Sequence, residues 1–384
     1  MKVLTFFFIL PLAQLFAQQQ ALPRVQSPEI ASDGRVTFRL RDPNAQQVVV
    51  NIAGAAQPLA MQKDADGVWS ATSEPMQPDL YSYTFRADGV ALLDPSNPAI
   101  VPNLLNPSSV LHVSGSSPQP WEQTDIPHGE VHHHFYKSAI VGDNRHFYVY
   151  TPPGYDPQKK TRYPVLYLLH GYSDDANAWS EVGHANWILD SLIAAGQARP
   201  MIIVMPLGYG APAILHPNPT GGGALSNASL REQNYNNFRS ALIDEVMPIV
   251  EKTYRVDTNR ESRAIAGLSM GGAESLLTGL NRLDKFAWVA SFSAGGLSDD
   301  FATDFPQLNS AANSKLRLLW IACGTEDRLI TVNRNLVQWL KGQSINVTPI
   351  ETPGMHTWMV WRRNLVTLAP LLFAKNNGSQ RPTQ

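Results

Sequence analysis

The chain has 384 residues, enough for two domains. Hydrophobic residues make up 43% of it and the formal charge is −2 at pH 7, so neither sign dominates and nothing points to nucleic acid or an anionic membrane as a partner. A single cysteine, Cys323, excludes an intrachain disulfide. Met1-Lys2, a nearly unbroken apolar run to Phe16, then Ala17-Gln18 read as a signal peptide over 1–17. The expected destination is therefore the periplasm or the outside of the cell. No cysteine follows the expected cut, so no lipid anchor is expected, and no other run is long enough to span a membrane.

Short alternating patterns fill residues 25–115, at 35–40, 48–53, 67–71 and 80–86. Asp66-Gly67 and Asp88-Gly89 mark turns between them. Tyr81, Tyr83 and Phe85 alternate with Ser82 and Thr84, which gives one aromatic face, and no long helical pattern interrupts. These features predict a small all-β sandwich domain. Its aromatic side chains, Trp69 among them, could stack on sugar rings or simply form a core. Residues 116–128, entered through Ser114-Gly115-Ser116-Ser117-Pro118, read as a linker.

From 129 to 375 the pattern changes. Strands are predicted at 130–137, 146–151, 165–169, 201–205, 263–267, 288–292, 316–322 and 346–351. Helical patterns fall at 186–195, 238–254, 273–280 and 332–340. Strands alternating with helices predict an α/β fold, an eight-stranded and mostly parallel sheet covered on both faces. His132-His133-His134 lies in the first strand. Neighbouring strand side chains point to opposite faces, so the three do not share one ion and no metal is expected. Residues 206–237 are rich in Gly, Pro and Asn and contain Gly221-Gly222-Gly223. They read as a long lid or binding loop over the cleft, with Leu207, Tyr209 and Tyr235 as candidate lining residues.

Candidate chemistry lies at strand ends. Gly267-Leu268-Ser269-Met270-Gly271 is a Gly-x-Ser-x-Gly elbow between a predicted strand and a helix. Asp327 follows the seventh strand and His356 the eighth. A serine hydroxyl is a weak nucleophile near neutral pH, so a histidine must take its proton and a carboxylate must hold that histidine. The order Ser, Asp, His is that of the α/β-hydrolase fold. Glu326, Asp299 and Asp300 are alternative acids. His170-Gly171-Tyr172 follows the third strand, so the backbone N–H groups of Tyr172 and Met270 are the expected oxyanion donors, with His170 structural. Trp358 and Trp361 flank the histidine and are candidate substrate contacts. Such a site needs no cofactor.

The segments Tyr150-Thr151-Pro152-Pro153-Gly154-Tyr155, Leu169-His170-Gly171, Gly267–Gly272, Cys323-Gly324-Thr325-Glu326-Asp327 and Gly354-Met355-His356-Thr357-Trp358 resemble the esterase-D-like α/β-hydrolases. Within them the chain looks most like the feruloyl esterases of the first carbohydrate esterase family. In that family the acid follows the Cys-Gly-Thr segment, which favours Asp327. Met355 departs from the glycine many relatives carry before the histidine. Residues 25–115, with Asp94-Pro95-Ser96-Asn97, are similar to the carbohydrate-binding domains in front of glycogen-branching enzymes and isoamylases. The resemblance implies an exported serine esterase acting on feruloylated plant cell-wall polysaccharide such as arabinoxylan, with no nucleic-acid partner and no membrane association after processing. Other readings are an acetyl-xylan or other carbohydrate esterase, a siderophore trilactone esterase, an acyltransferase and a non-catalytic carbohydrate-binding protein.

Overall fold

A computed structural model describes residues 24–216, 226–298 and 300–374. The expected signal peptide, Gly221–Gly223 and Asp299 lie outside these residues. Eight strands of the later region pair into one sheet: β1 (Glu130–Lys137), β2 (Asn144–Thr151), β3 (Val165–Leu169), β4 (Ile202–Pro206), β5 (Arg263–Gly267), β6 (Trp288–Phe292), β7 (Leu318–Gly324) and β8 (Thr348–Thr352). Their order across the sheet is β1-β2-β4-β3-β5-β6-β7-β8. β1 and β2 form an antiparallel hairpin, β2 meets β4 antiparallel, and the remaining pairs are parallel. The strands β3 to β6 are apolar runs buried along their whole length, as parallel strands covered on both faces must be. Along β3, Val165, Tyr167 and Leu169 enter one core while Leu166 and Leu168 enter the other.

Helices α1 (Ala178–Glu181), α2 (Ala185–Ala194), α3 (Ala228–Ala241), α4 (Met247–Thr253), α5 (Met270–Asn281), α6 (Phe301–Asp304) and α7 (Ile330–Gly342) connect the later strands, and α8 (Trp358–Leu368) follows the last of them. The largest departure from the predicted elements is at α3. The expected helix starts at 238, but the backbone is helical from Ala228, where the Asn227 side chain accepts the Leu230 N–H at 3.1 Å. The first ten residues of α3 are mostly polar, so they carry little apolar periodicity to read. A π turn, Leu242–Val246, joins α3 to α4. It precedes Pro248, which has no N–H to give the carbonyl of Asp244. No helix among the described residues is long and apolar enough to cross a membrane.

The N-terminal region is a sandwich of two sheets. One runs Glu29–Ile30, Val36–Arg41, Val68–Thr72, Gln62–Lys63. The other runs Leu59–Ala60, Val48–Ile52, Asp79–Ala87, Ser108–Val113, Ile100–Val101, with Val90–Leu92 on its longest strand. Burial alternates, as in Val36–Arg41, so Phe38, Leu40, Tyr83 and Phe85 form a separate core. Trp69 belongs to that core. It is 6% exposed and its Nε1 donates to the Asp42 carbonyl at 2.8 Å, so it offers no sugar-stacking face. Asp94 accepts from the Tyr83 hydroxyl, and Asn97 donates to the same hydroxyl and to the Val110 carbonyl, so Asp94–Asn97 clamps a corner.

The two regions are tied together. The expected linker carries Trp121, which is buried in the core beside α2 and α8. Asp79 of the sandwich accepts from Arg362 Nη2 at 3.0 Å and Arg363 Nη2 at 2.8 Å, and both Asp79 and Arg362 are buried. Arg362 also donates to the carbonyls of Val182 and Leu80. A buried ion pair of this kind is held by its full set of partners, because desolvation opposes it.

Candidate active site

Ser269 sits between β5 and α5 at φ 52°, ψ −116°, a strained backbone that the elbow imposes. Its N–H donates to the Phe292 carbonyl at 2.9 Å, which ties the turn to β6. Two glycines are needed for steric reasons. A Cβ at Gly267 would lie 2.2 Å from the Gly271 carbonyl oxygen, and one at Gly271 would lie 2.3 Å from that of His170. Any side chain at either position would push the elbow open.

The residues after β7 and β8 converge on this serine. His356 Nε2 is 3.0 Å from Ser269 Oγ, and His356 Nδ1 is 2.8 Å from Asp327 Oδ2. Asp327 Oδ1 accepts the Leu329 N–H at 2.8 Å, so one carboxylate holds both the turn into α7 and the imidazole. Burial pushes the Asp327 carboxyl up, but the His356 hydrogen bond and charge and the Leu329 N–H outweigh it, leaving it below the ordinary carboxylate range. An ionised Asp327 accepts from Nδ1–H, which leaves Nε2 as the acceptor facing Oγ. Glu326 is exposed and bonds the Thr325 hydroxyl, and Asp300 caps α6. Neither reaches the imidazole. Trp361 packs edge-to-face on His356 at 4.8 Å and donates its Nε1 to Ser293 Oγ at 3.1 Å, which fixes the ring's back wall.

The opposite wall is the loop after β3. His170 is fully buried, and burial lowers its pKa to about 4, so it is neutral. Its Nε2 accepts the Gly208 N–H at 2.8 Å, and its Nδ1 donates to the Gly171 carbonyl at 2.8 Å. The Gly171–Tyr172 peptide is trans, so holding its carbonyl turns the Tyr172 N–H to the other side. Met270 opens α5, where the first N–H groups have no carbonyl one turn back. These are the two donors the sequence singles out. His170 sets the plane of one of them.

The cleft over Ser269 encloses about 520 Å³. Tyr172, His356, Trp358 and Trp361 line it, as the sequence leads one to expect, and so does Arg328. Leu207 and Tyr235 do not line it. Because α3 begins at Ala228, Tyr235 faces inward with Phe238 and Leu242 and is 6% exposed, while Leu207 packs against the same core. Tyr209 is likewise buried, with its hydroxyl bonded to the Asp174 carbonyl at 2.7 Å. Sequence reasoning missed Asp174 and, from the sandwich, Ala53, Ser82 and Asn103, which all line the cleft. The sandwich residues come from three separate segments, Ala53 just past a strand, Ser82 within the strand Asp79–Ala87 and Asn103 in a loop, and no local pattern marks them. His132 and His134 sit near Tyr254, while His133 stacks on Tyr148, so the three imidazoles divide between the two faces of the sheet.

A family model described as "Putative esterase" matches residues 138–372. The chain belongs to this esterase family. It is a carboxylic ester hydrolase with the α/β-hydrolase fold and a β sandwich in front. The esterase is 29% identical over 357 residues to an endo-1,4-beta-xylanase/feruloyl esterase of Xylanibacter ruminicola, covering 91% of this chain and 46% of that protein. The chain thus spans less than half the length of that relative. An acetyl esterase of Caldicellulosiruptor saccharolyticus is 24% identical over 232 residues, 52% of this chain and 79% of that one. Among solved structures, a ferulic acid esterase is 26% identical with a TM-score of 0.53, covering 64% of this chain and 98% of its own. The enterobactin esterase FES from Shigella flexneri has a TM-score of 0.65 at 22% identity over 88% of this chain and 94% of its own, a likeness of fold.

Proposed function

We propose that this esterase is exported and hydrolyses hydroxycinnamoyl esters, ferulate above all, carried on plant cell-wall arabinoxylan. The observation that carries the mechanism is His356, within hydrogen-bond reach of both Ser269 and Asp327. Ser269 Oγ attacks the ester carbonyl as His356 Nε2 takes its proton. The Tyr172 and Met270 N–H groups receive the charge that develops on the carbonyl oxygen. His356 returns the proton to the departing sugar alcohol, leaving an acyl-enzyme. Water, deprotonated by the same nitrogen, then attacks the acyl carbon and releases the acid and Ser269. Asp327 keeps the imidazole in the required tautomer and stabilises its cation. Trp358 and Trp361 flank the aromatic acyl group.

The substrate class is supported by the relative named a xylanase/feruloyl esterase, whose likeness spans both regions of this chain. In this reading residues 25–115 are a carbohydrate-binding-like domain, 116–128 a connection, 129–375 the catalytic domain and 1–17 a signal peptide. A trilactone substrate is the second reading. It is favoured by the fold likeness to an enterobactin esterase across 88% of the chain, against 64% for the ferulic acid esterase. A panel of methyl ferulate, feruloylated arabinoxylan oligosaccharide, acetylated xylan and a catecholate trilactone tests both. The feruloyl substrates should turn over fastest. Activity confined to acetyl groups or to the trilactone would reject the feruloyl assignment.

A further inference from the structure

The N-terminal region does more than border the cleft: it is bonded to the loop that carries an oxyanion donor. Asn103 is the point of contact. Its Oδ1 accepts the N–H groups of Leu105 at 3.1 Å and Asn106 at 2.8 Å, so the amide cannot turn. Its Nδ2 is thereby aimed at Asp174 Oδ1, 3.0 Å away. The other oxygen of Asp174 accepts the Gly171 N–H at 3.3 Å. Beside this relay the Leu104 N–H donates to the Ser173 carbonyl at 2.8 Å.

The loop needs such support. Ser173 has φ 69°, a left-handed conformation that a non-glycine residue holds only when its surroundings dictate it. A Cβ on Gly171 would lie 3.4 Å from Ser269 Cβ, so the loop backbone stands directly against the nucleophile. Asp174 is a buried carboxyl that burial raises to about 7, with Asn103 the foremost group opposing that shift and the Gly171 N–H next. Two hydrogen bonds from 103–104 and three within 170–174, among them the Asp174 N–H to the Gly171 carbonyl at 3.3 Å, therefore fix where Gly171 and the peptide after it sit.

We propose that Asn103, supplied by the N-terminal sandwich, is a positioning residue for ester hydrolysis: through Asp174, which accepts the Gly171 N–H, it holds the His170–Gly171 peptide and with it the adjoining Tyr172 N–H in place over Ser269. The inference rests on the reading of Ser269 as nucleophile and the Tyr172 N–H as oxyanion donor, but not on ferulate as the acyl group. The sandwich thus acts on turnover itself, including turnover of substrates too small to touch it.

The decisive variant is Asn103→Asp. It keeps the oxygen that caps Leu105 and Asn106, so the local turn is preserved, but it sets a carboxylate against Asp174 where a donor stood; rates are followed up to about pH 9, where the two carboxyls lose the proton they could otherwise share. Asp174→Asn makes the converse mismatch. Displacing a reacting geometry by about 1 Å costs on the order of 100-fold. Each single variant should therefore lower kcat on p-nitrophenyl acetate by about 10- to 100-fold, with KM within about two-fold. The exchange N103D/D174N restores complementarity. The amide at 174 donates to the carboxylate at 103, and its oxygen still accepts from Gly171. The exchange should recover kcat to within about five-fold of the parent. A harmless N103D, or an exchange no better than the worse single variant, overturns the proposal. If a single variant fails to fold, the activity of the exchange variant decides alone. An active Ser269→Ala would sink the reading of the site itself, whereas a dead S269A beside a harmless N103D sinks only the role of Asn103.

Discussion

The sandwich and the hydrolase sheet bury their strands in different ways, and they divide the labour of the cleft accordingly. Strands β3 to β6 are covered on both faces, so their ends are rigid points from which Ser269 and the oxyanion loop project. Sandwich strands such as Val36–Arg41 are covered on one face and keep the other for contact. The hydrolase region holds Ser269, Asp327 and His356, whereas the sandwich brings Ala53, Ser82 and Asn103 to the same cleft without a nucleophile or a base. In the proposed reaction bond-making belongs to one region, but the shape of the cleft belongs to both.

Substitutions in each region test this division. Ser269→Ala should reduce kcat on any ester by about 10⁶-fold with unfolding unchanged, because it removes the reacting atom and nothing structural. Asp327→Asn should cost about 10⁴-fold, the size seen when a serine-protease triad loses its orienting carboxylate. Rates from stopped-flow or initial-velocity assays check both, and an active S269A would place the nucleophile elsewhere. Asp79→Ala acts on the join rather than the chemistry. It strands Arg362 without its buried counter-charge and should cost about 3–5 kcal/mol in denaturant unfolding. A loss below about 1 kcal/mol would mean that the regions are held by other contacts.

The smallest effect tests the wall behind the nucleophile. Glu274 of α5 is buried and accepts from Asn234 at 3.1 Å through Oε1, while its Oε2 has no partner among the described residues. Burial raises its carboxyl well above the usual range. A raised acid favours the fold while protonated, and that contribution is lost as pH climbs through its folded-state value. Glu274→Gln stays neutral throughout, so its melting temperature should gain on the parent as pH rises from about 5 to about 8. A difference that stays constant over that range would show that folding does not raise the Glu274 carboxyl.

The fold was legible where burial is complete. A strand covered on both faces reads as an unbroken apolar run, so the hydrolase strands are predicted to within two residues or so. Ser269 and Asp327 were legible because each follows such a run, whereas His356 follows β8, a mostly exposed edge strand, and was legible from its place in the order Ser, Asp, His. Tyr235 misled for a physical reason: the polar start of α3 reads as loop, so a core tyrosine reads as a cleft residue. Trp69 left two readings open, since alternation does not say which face is inward, and it is the core reading that the structure shows. Asn103, Ser82 and Ala53 leave no trace in the sequence because the cleft joins segments far apart in the chain. The hydrogen bond from Asn103 to Asp174 crosses 71 positions.

Helix α8 carries Trp361 and Arg362 side by side. The first backs His356, and the second runs into the sandwich to reach Asp79. This adjacency bears on how such a chain can be cut, fused or inherited. A break at 116–128 would uncover a buried guanidinium one residue from Trp361, the wall behind His356, so the later region is not expected to stand alone. Recombination that exchanged the front module for a foreign one would meet the same obstacle unless the newcomer also brought an acid to the position of Asp79. The two regions are thus expected to travel through gene shuffling as a pair.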